Sequence, residues 1–322
     1  MMPLLPLQPI YRRYLWGGRR FAAALGRDLP PGDDFAESWE LVDRGADQTL
    51  VAAGPLAGTP LGDLVRTRGR ELAGRHADRV PFPLLFKFLD ARRDLSVQVH
   101  PDDVRAARLT PPDLGKTEAW YVVDADPGSR IYAGLAPGVD QTTLADALRA
   151  GRCDEVLHAF TPRVGDCIFI PAGTVHAIGA GLLVAEIQQS SDVTYRLHDW
   201  NRLGPDGRPR ALHVEQGLEA VTRFGPVLPV AAEAVAAPAW RRLVTCSQFL
   251  LDEIRPTGRF EVGGDETWHF LSVIRGGVES DPRHGLATVP PGGCLLLPAC
   301  RGRETFTPTT NGETVLLHVQ LP

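Results

Sequence analysis

The sequence predicts a mainly β protein built from two related β-barrels in tandem, with helices inserted in the first barrel. Three observations support this prediction. The 322 residues include 33 glycines and 28 prolines, and these turn-forming residues, spread evenly along the chain, separate many short apolar runs of strand length. A segment near the middle of the chain recurs close to its end. The chain is also long enough for two domains.

The predicted strands are short apolar runs bounded by glycine, proline or polar residues. In chain order they cover residues 95–100, 119–123, 166–171, 182–189, 193–198, 268–274, 294–297 and 314–320. Four other segments carry apolar residues at roughly helical spacing. These predicted helices cover residues 60–76, 101–109, 141–150 and 214–222.

A weak internal repeat relates the two halves of the chain. Gly-Asp-Cys-Ile-Phe-Ile-Pro-Ala at 165–172 recurs as Gly-Gly-Cys-Leu-Leu-Leu-Pro-Ala at 292–299. Upstream, Glu-Ala-Trp-Tyr-Val-Val at 118–123 is matched by Glu-Thr-Trp-His-Phe-Leu at 266–271. Because both pairs occur in the same order, we expect one barrel over residues 1–225, which holds the helical insertions, and a second over residues 235–322.

Composition excludes several classes of protein. A net charge of −5 argues against a nucleic-acid-binding surface, and no apolar run approaches the roughly 18 residues of a membrane span. The first ten residues include three prolines and have no positively charged side chain, which is unlike a signal peptide. Five cysteines without a Cys-x-x-Cys spacing indicate reduced thiols. We expect a cytoplasmic protein without nucleic-acid or membrane partners, and the oligomeric state is left open.

The strongest chemical pattern begins in the predicted strand 95–100. Strand alternation places Gln98 and His100 on one face, and a polar face inside a small barrel needs a function. Glu118 begins the next strand, and His176 follows a Pro-Ala-Gly-Thr-Val turn. Two imidazoles, a carboxylate and an amide oxygen are a ligand set for one divalent metal ion.

The second half provides an internal comparison for this ligand set. The repeat places Glu266 at the position of Glu118, but no Gln-x-His precedes it, and Arg303 stands where His176 would fall. We therefore expect one metal ion per chain, in the first barrel.

Several motifs together resemble one enzyme family, the type I mannose-6-phosphate isomerases in their short bacterial form. The motifs are Leu-Leu-Phe-Lys-Phe-Leu-Asp-Ala at 84–91, Leu-Ser-Val-Gln-Val-His-Pro-Asp-Asp at 95–103, Gly-Lys-Thr-Glu-Ala-Trp at 115–120, Pro-Ala-Gly-Thr-Val-His-Ala at 171–177 and Tyr-Arg-Leu-His-Asp-Trp at 195–200. The resemblance covers most of residues 10–220. It implies the cupin, or jelly-roll, barrel, and the repeated glycine turn, apolar strand and Pro-Ala is also typical of a cupin.

The resemblance implies a zinc-dependent enzyme that interconverts mannose 6-phosphate and fructose 6-phosphate through an enediol. It assigns the zinc to Gln98, His100, Glu118 and His176, and it places Arg196 in the active site.

Lysine usage singles out two further residues. Only Lys87 and Lys116 are lysines among the 34 basic residues, so both are expected to need a compact ammonium group rather than a planar guanidinium. Lys116 lies two residues before Glu118 and therefore on the same strand face. We expect Lys116 to act at the reacting carbons, and Lys87 to contact the phosphate or form an internal ion pair.

The base and the phosphate anchors remain open at this stage. Alternation places His198 on the same face as Arg196, so His198 and Asp199 are alternatives to Lys116 as the base. Arg196 suits a phosphate or an enediolate, unless it forms a structural ion pair with Asp199 or Asp192. The expected substrate-binding residues are Lys87, Arg196 and Arg202, with Arg12 and Arg13 as further phosphate anchors.

Two other functions fit parts of the pattern. Two histidines and a glutamate also match a non-haem Fe(II) oxygenase of the cupin type, but Gln98 as a fourth ligand and the several cations argue against it. A non-catalytic sugar-binding cupin is expected to have lost ligands, Lys116 or Arg196, and this chain keeps them all.

Overall fold

The computed structural model describes residues 1–204, 207–235, 239–281, 288–310 and 312–322. Within these ranges the fold is mainly β, as predicted, and no helix is both long and apolar enough to span a membrane. The α-helices are Arg20–Leu25 (α1), Leu61–Ala73 (α2), Asp103–Ala106 (α3), Gln141–Arg149 (α4) and Val214–Ala220 (α5). Short 3-10 turns cover Gly74–His76, Cys153–Val156 and Ala299–Arg301.

The strands are mostly short, and each of the eight predicted strands coincides with one of them. In chain order they are Leu5–Gln8 (β1), Ile10–Gly18 (β2), Phe35–Leu41 (β3), Asp43–Arg44 (β4), Asp47–Gln48 (β5), Leu50–Val51 (β6), Leu84–Ala91 (β7), Val97–Val99 (β8), Glu118–Ala125 (β9), Ile131–Leu135 (β10), Leu157–Phe160 (β11), Cys167–Ile170 (β12), His176–Ile178 (β13), Leu182–Gln189 (β14), Tyr195–His198 (β15), Glu233–Ala234 (β16), Trp240–Thr245 (β17), Leu250–Ile254 (β18), Phe260–Gly263 (β19), His269–Arg275 (β20), Val278–Ser280 (β21), Cys294–Leu297 (β22), Arg303–Pro308 (β23) and Val315–Gln320 (β24).

The antiparallel sheets stack in layers. A five-stranded sheet (β11-β10-β13-β8-β15) faces a six-stranded sheet (β12-β9-β14-β7-β3-β2). The other face of the six-stranded sheet packs on an eight-stranded sheet (β16-β17-β18-β24-β20-β22-β1-β6), which a three-stranded sheet (β19-β23-β21) covers. The N-terminal strand β1 pairs with β22 from the end of the chain, so the first residues of the protein contribute to the sheet of the C-terminal half.

Strand alternation explains why the six-stranded sheet is buried on both faces. Phe86 and Phe88 of β7 point toward the eight-stranded sheet, where the ring of Phe86 lies 4.7 Å from that of Phe270. Trp120 and Val184 point the opposite way and pack with the five-stranded sheet. Burying a large apolar side chain contributes about 1.5–3 kcal/mol, so both interfaces hold the central sheet in place.

The internal repeat is present in the structure, but its alignment differs from the predicted one. Glu118 pairs with Ile170 across β9 and β12, and the equivalent residue of β22, Leu297, pairs with His269. His269, rather than Glu266, therefore occupies the position of Glu118. The prediction was wrong because Glu266 has a φ of 62°, which is outside the extended region, and the strand begins only at His269.

Candidate metal centre and active site

A polar site lies between the five- and six-stranded sheets. Glu118 of β9 enters it from the six-stranded sheet, and Gln98 of β8 enters from the five-stranded sheet. Gln98 pairs with His176 of β13 on one side and with Arg196 of β15 on the other, so these three side chains stand in a row. A cavity of about 400 Å³ between the sheets is lined by Gln98, His176, Arg196 and Lys116, among others.

His100, Glu118 and His176 form a compact cluster at this site. Each is at most 1% exposed, and their candidate ligand atoms all lie within 4.8 Å of one another. Glu118 Oε2 is 3.5 Å from His100 Nε2, and Glu118 Oε1 is 3.3 Å from His176 Nε2. No other group of this kind occurs among the described residues.

Backbone carbonyl groups orient both imidazoles. His100 Nδ1–H donates to the Val193 carbonyl at 2.9 Å, and His176 Nδ1–H donates to the Thr174 carbonyl at 2.9 Å. These bonds fix the tautomer, so the Nε2 lone pair of each ring points at the centre of the cluster. Metal-binding histidines are held in this way.

The electrostatics of the cluster also suit a cation. Burial lowers the pKa of His176 to about 4 and holds the pKa of His100 well below its usual value, so both rings are neutral at pH 7. Burial and the nearby Glu186 raise the pKa of Glu118 to about 7, against the opposing effect of Lys116. Neither Glu118 oxygen accepts a well-formed hydrogen bond from the described residues. Lys116 Nζ, 3.2 Å from Glu118 Oε2, offsets only part of the cost of burying this carboxylate, and a divalent cation would offset more of it.

Gln98 completes the predicted ligand set. Its side chain lines the cavity, with Nε2 3.2 Å from His176 Nε2. Rotation of the amide by 180° exchanges its nitrogen and oxygen and brings the oxygen to the cluster. The donor set of two imidazole nitrogens, a carboxylate and an amide oxygen therefore fits a divalent metal ion.

Lys116 lies beside the cluster, on the face shared with Glu118, as predicted. It is 6% exposed, and its Nζ is 3.2 Å from Glu118 Oε2 and 3.1 Å from His100 Nε2.

Lys87 also lines the cavity, but acidic residues surround its ammonium group. Lys87 Nζ is 3.2 Å from Glu186 Oε1 and 3.6 Å from Glu37 Oε2. Burial disfavours its charge, yet the two carboxylates outweigh burial and hold the pKa of Lys87 above its ordinary value. The structure thus shows the internal ion pair that was one of the two roles expected for Lys87.

Arg196 lines the cavity, and no carboxylate of the described residues pairs with its guanidinium charge. Its Nη1 donates to the Ala211 carbonyl at 3.0 Å, and its buried Nε has no hydrogen-bond acceptor among the described residues. Burial and the nearby Arg210 lower its pKa. It forms no ion pair with Asp199 or Asp192, because Asp199 binds Arg202 and Arg210 instead. The guanidinium group is therefore available to an anion.

Arg202 and His198 do not line this cavity. Arg202 donates to Asp199 and to the Asp94 carbonyl, and it borders a neighbouring cavity. A β-bulge separates Arg196, which lies opposite Gln98, from His198, which lies opposite Val97. Because Gln98 and Val97 point to opposite faces, His198 turns away from Arg196, and the prediction that they share a face was wrong.

The other candidates from the sequence lie outside the cavity as well. Arg12 pairs with Asp47 and stacks on Trp39, with its Cζ 4.6 Å from the ring centroid. Arg13 pairs with Asp34 at 2.6 Å.

Sequence reasoning missed several residues of the site. Glu186 of β14 lies between Lys87 and Trp120, whose Nε1–H donates to it at 3.1 Å. A glutamate in the middle of an otherwise apolar run was the available signal, because buried charges are rare without a partner. Arg210 also lines the cavity, but it lies in a loop, where no spacing pattern marks it.

The C-terminal half also has a polar group, and strand pairing places it at the positions that correspond to Glu118 and Glu186 of the first half. His269 of β20 occupies the place of Glu118, and His318 of β24 that of Glu186. His269 Nδ1 is 2.8 Å from His318 Nε2. On the other side of the same ring, His318 Nδ1 is 3.1 Å from Asp252 Oδ2. These ring nitrogens bond to one another and to carboxylates, so they do not converge on a metal position.

Comparisons with known proteins agree with this geometry. A family model described as "Phosphomannose isomerase type I, catalytic domain" matches residues 4–122. The mannose-6-phosphate isomerase of Streptococcus mutans is 40% identical over 237 residues, which cover 74% of this chain and 71% of the relative. The mannose-6-phosphate isomerase ManA of Bacillus subtilis is 33% identical over 273 residues, 84% of each chain.

The fold is also similar to solved structures. The crystal structure of the mannose 6-phosphate isomerase from Bacillus subtilis aligns with a TM-score of 0.87 at 28% identity, covering 99% of this chain and all of the other. The apo form of the Salmonella typhimurium enzyme aligns with a TM-score of 0.77 at 15% identity over the whole of both chains, which shows a shared fold.

Proposed function

The chain belongs to the mannose-6-phosphate isomerase family, and we propose on that basis that it interconverts mannose 6-phosphate and fructose 6-phosphate. The observation that carries the proposal is the buried His100–Glu118–His176 cluster, whose lone pairs converge at the wall of a polar cavity. An Fe(II) oxygenase or a non-catalytic sugar-binding protein is not favoured, because the relatives are named isomerases.

Gln98, His100, Glu118 and His176 would hold one zinc ion per chain. The two neutral imidazoles and the buried carboxylate support this assignment, and nitrogen and oxygen donors of this kind suit zinc. When bound, a divalent metal ion supplies positive charge that stabilises the negative charge developing on the sugar oxygens.

Arg196 would stabilise the negative charge that grows on the substrate in the transition state. Its guanidinium group has a permanent charge, faces the cavity and has no carboxylate partner among the described residues. The charges of Lys87 and Arg202 are already paired with carboxylates. If Lys87 and Arg202 contact the phosphate, as the sequence suggested, each does so while it also pairs with a carboxylate.

Lys116 would move the proton. In the direction from mannose to fructose, a proton leaves C2 and O1 gains one, which gives the enediol. The proton is then returned to C1 while O2 loses one. Lys116 Nζ lies beside the cluster and within the cavity. Glu186 also lines the cavity, but one of its oxygens is bonded to Trp120 and the other lies beside Lys87, so Lys116 is the better placed carrier.

The two halves would be cupin-type barrels in tandem, a catalytic one over residues 1–225 and one without metal ligands over residues 235–322. The layered antiparallel sheets and the matched strand pairs β9–β12 and β20–β22 support this division, although β1 adds the first residues to the second sheet system. The enzyme would act in the cytoplasm, on free sugar phosphates.

The direct test is to add mannose 6-phosphate to purified protein and to follow fructose 6-phosphate. We expect conversion that ceases after treatment with a chelator and returns with zinc. His176→Ala is expected to be inactive and metal-free, and His158→Ala, at a histidine outside the cluster that bonds the Ala133 carbonyl, provides the matched control. No conversion by the metal-loaded protein would refute the proposed function.

A further inference from the structure

The segment that carries Lys116 and Glu118 is held by side chains outside the cavity. Between these two residues lies Thr117, whose backbone N–H donates to the side-chain oxygen of Gln189 at 3.0 Å. The backbone N–H of Gln189 donates in turn to the Thr117 carbonyl at 3.2 Å. Gln189 therefore bonds both backbone polar groups of Thr117, one through its side chain and one through its own backbone. Thr117 joins the proposed proton carrier to the proposed metal ligand.

Asp103 fixes Gln189 from the opposite side. Its Oδ1 accepts from Gln189 Nε2 at 2.8 Å and from the backbone N–H of Gly115 at 2.8 Å. A side chain at Gly115 would not fit, because its Cβ would lie 2.5 Å from the Asp103 backbone nitrogen. Because the backbones of Gly115 and Asp103 approach so closely, Asp103 Oδ1 can bond both Gly115 and Gln189. Gly115 directly precedes Lys116.

These contacts define the conformation of the segment from Gly115 to Glu118. The pairing of β9 with β14 begins with Glu118 opposite Gln188, and the bond from the Gln189 N–H to the Thr117 carbonyl extends it by one residue. Lys116 lies outside the strand. The Lys116 N–H donates to the Pro101 carbonyl at 3.1 Å. Thr117 Oγ1 also accepts from the Ala172 N–H at 3.3 Å. The side chains that bond the backbone of this segment are those of Gln189 and Asp103.

We infer that Gln189 and Asp103 are positioning residues, which set where the Lys116 ammonium and the Glu118 carboxylate stand relative to His100 and His176. Neither Gln189 nor Asp103 lines the metal cavity, so neither touches the substrate. The inference rests on the proposed function for its catalytic part, but the position of Glu118 also governs metal binding, which is measured separately.

The test compares Gln189→Leu, Asp103→Ala and Asp103→Asn with the wild type. Loss of a residue that orients a metal ligand costs about 10- to 100-fold in metal affinity or activity, so we expect Gln189→Leu to lower kcat and zinc affinity by that factor, with KM changed by less than about twofold. Asp103→Ala should show a smaller loss of the same kind. Asp103→Asn keeps an oxygen that accepts both bonds and should restore near wild-type values.

Asp102→Ala is the matched control. Asp102 adjoins Asp103, and its side chain caps α3 by accepting from Arg105 N–H at 2.8 Å and pairs with the Arg105 guanidinium. Its backbone lies against Gly115, but the carboxylate that the substitution removes bonds neither Gly115 nor Gln189. It should lower the melting temperature but leave kcat and zinc affinity unchanged. Asp103 lies at the surface, so its variants test the inference even if Gln189→Leu fails to fold.

Competition with a chromogenic chelator measures zinc affinity without substrate. If the wild type proves not to be an isomerase, a weakened zinc affinity in Gln189→Leu and Asp103→Ala still supports the positioning role. The inference is overturned if the folded variants keep wild-type zinc affinity and kcat, or if Asp103→Asn is as impaired as Asp103→Ala.

Discussion

Replacement of Lys87 by methionine separates its two expected roles. Methionine keeps the length of the side chain but removes the cation that lies between Glu186 and Glu37. Glu186 is 4% exposed, so the variant leaves a buried carboxylate without its partner. Removal of one partner from a buried pair costs about 3–5 kcal/mol. We expect the free energy of unfolding to fall by about that amount.

The loss should depend on pH. Lys87 lowers the pKa of Glu186 against the effect of burial, so in the wild type this carboxylate contributes stability above its ordinary pKa. In Lys87→Met the pKa of Glu186 rises, and protonation removes the unpaired charge. The difference in stability between variant and wild type should therefore be larger at pH 8 than at pH 5.

Denaturant unfolding at both pH values measures these effects, alongside KM for mannose 6-phosphate. Arg92→Met is the control, because Arg92 pairs with Asp33 at 3.0 Å at the surface and exposed pairs contribute only about 0–1 kcal/mol. The double variant Lys87→Met/Glu186→Gln should recover much of the lost stability, since it removes both charges. A Lys87→Met protein as stable as the wild type, with only a raised KM, would refute the ion-pair account and make Lys87 a phosphate anchor.

Three further predictions follow from the site. Arg196→Lys should lower kcat by about 10²-fold or more and leave the metal content unchanged. Steady-state kinetics and elemental analysis measure the two quantities, and an unchanged kcat would assign Arg196 a structural role. Lys116→Met should lower kcat with little change in KM, because the interaction is used mainly in the transition state, and full activity would exclude Lys116 as the proton carrier. Zinc affinity should fall as the pH drops below about 7, the pKa of Glu118, with about one proton displaced per ion. A fall that begins only near pH 4, the pKa of His176, would contradict the raised pKa of Glu118.

The candidate metal ligands were the most predictable part of the site. Gln98 lies within β8 and His100 directly follows that strand, and their spacing of two residues predicted that both reach one site. The same spacing predicted that Lys116 lies beside Glu118. His176, which lies far away in the sequence, was singled out by the turn that precedes it. The structure brings these residues together because the register pairs Gln98 directly with His176.

The errors arose where the backbone departs from regular alternation. The β-bulge in β15 turns His198 away from Arg196, and a bulge leaves no reliable mark in a single sequence. Glu266 has a positive φ and lies three residues before β20, so the repeat alignment that matched it with Glu118 was displaced by three residues. The carboxylate partners of Lys87 depend on which strands are neighbours, and local sequence patterns do not determine sheet order.

The most direct test of the account is a zinc titration of the metal-free protein, in which the isomerisation of mannose 6-phosphate is measured after each addition. The account predicts no activity at the start, a linear rise, and a plateau at one zinc ion per chain, because the described residues hold a single ligand cluster. Activity without metal, or a rise that continues to two ions per chain, would contradict it.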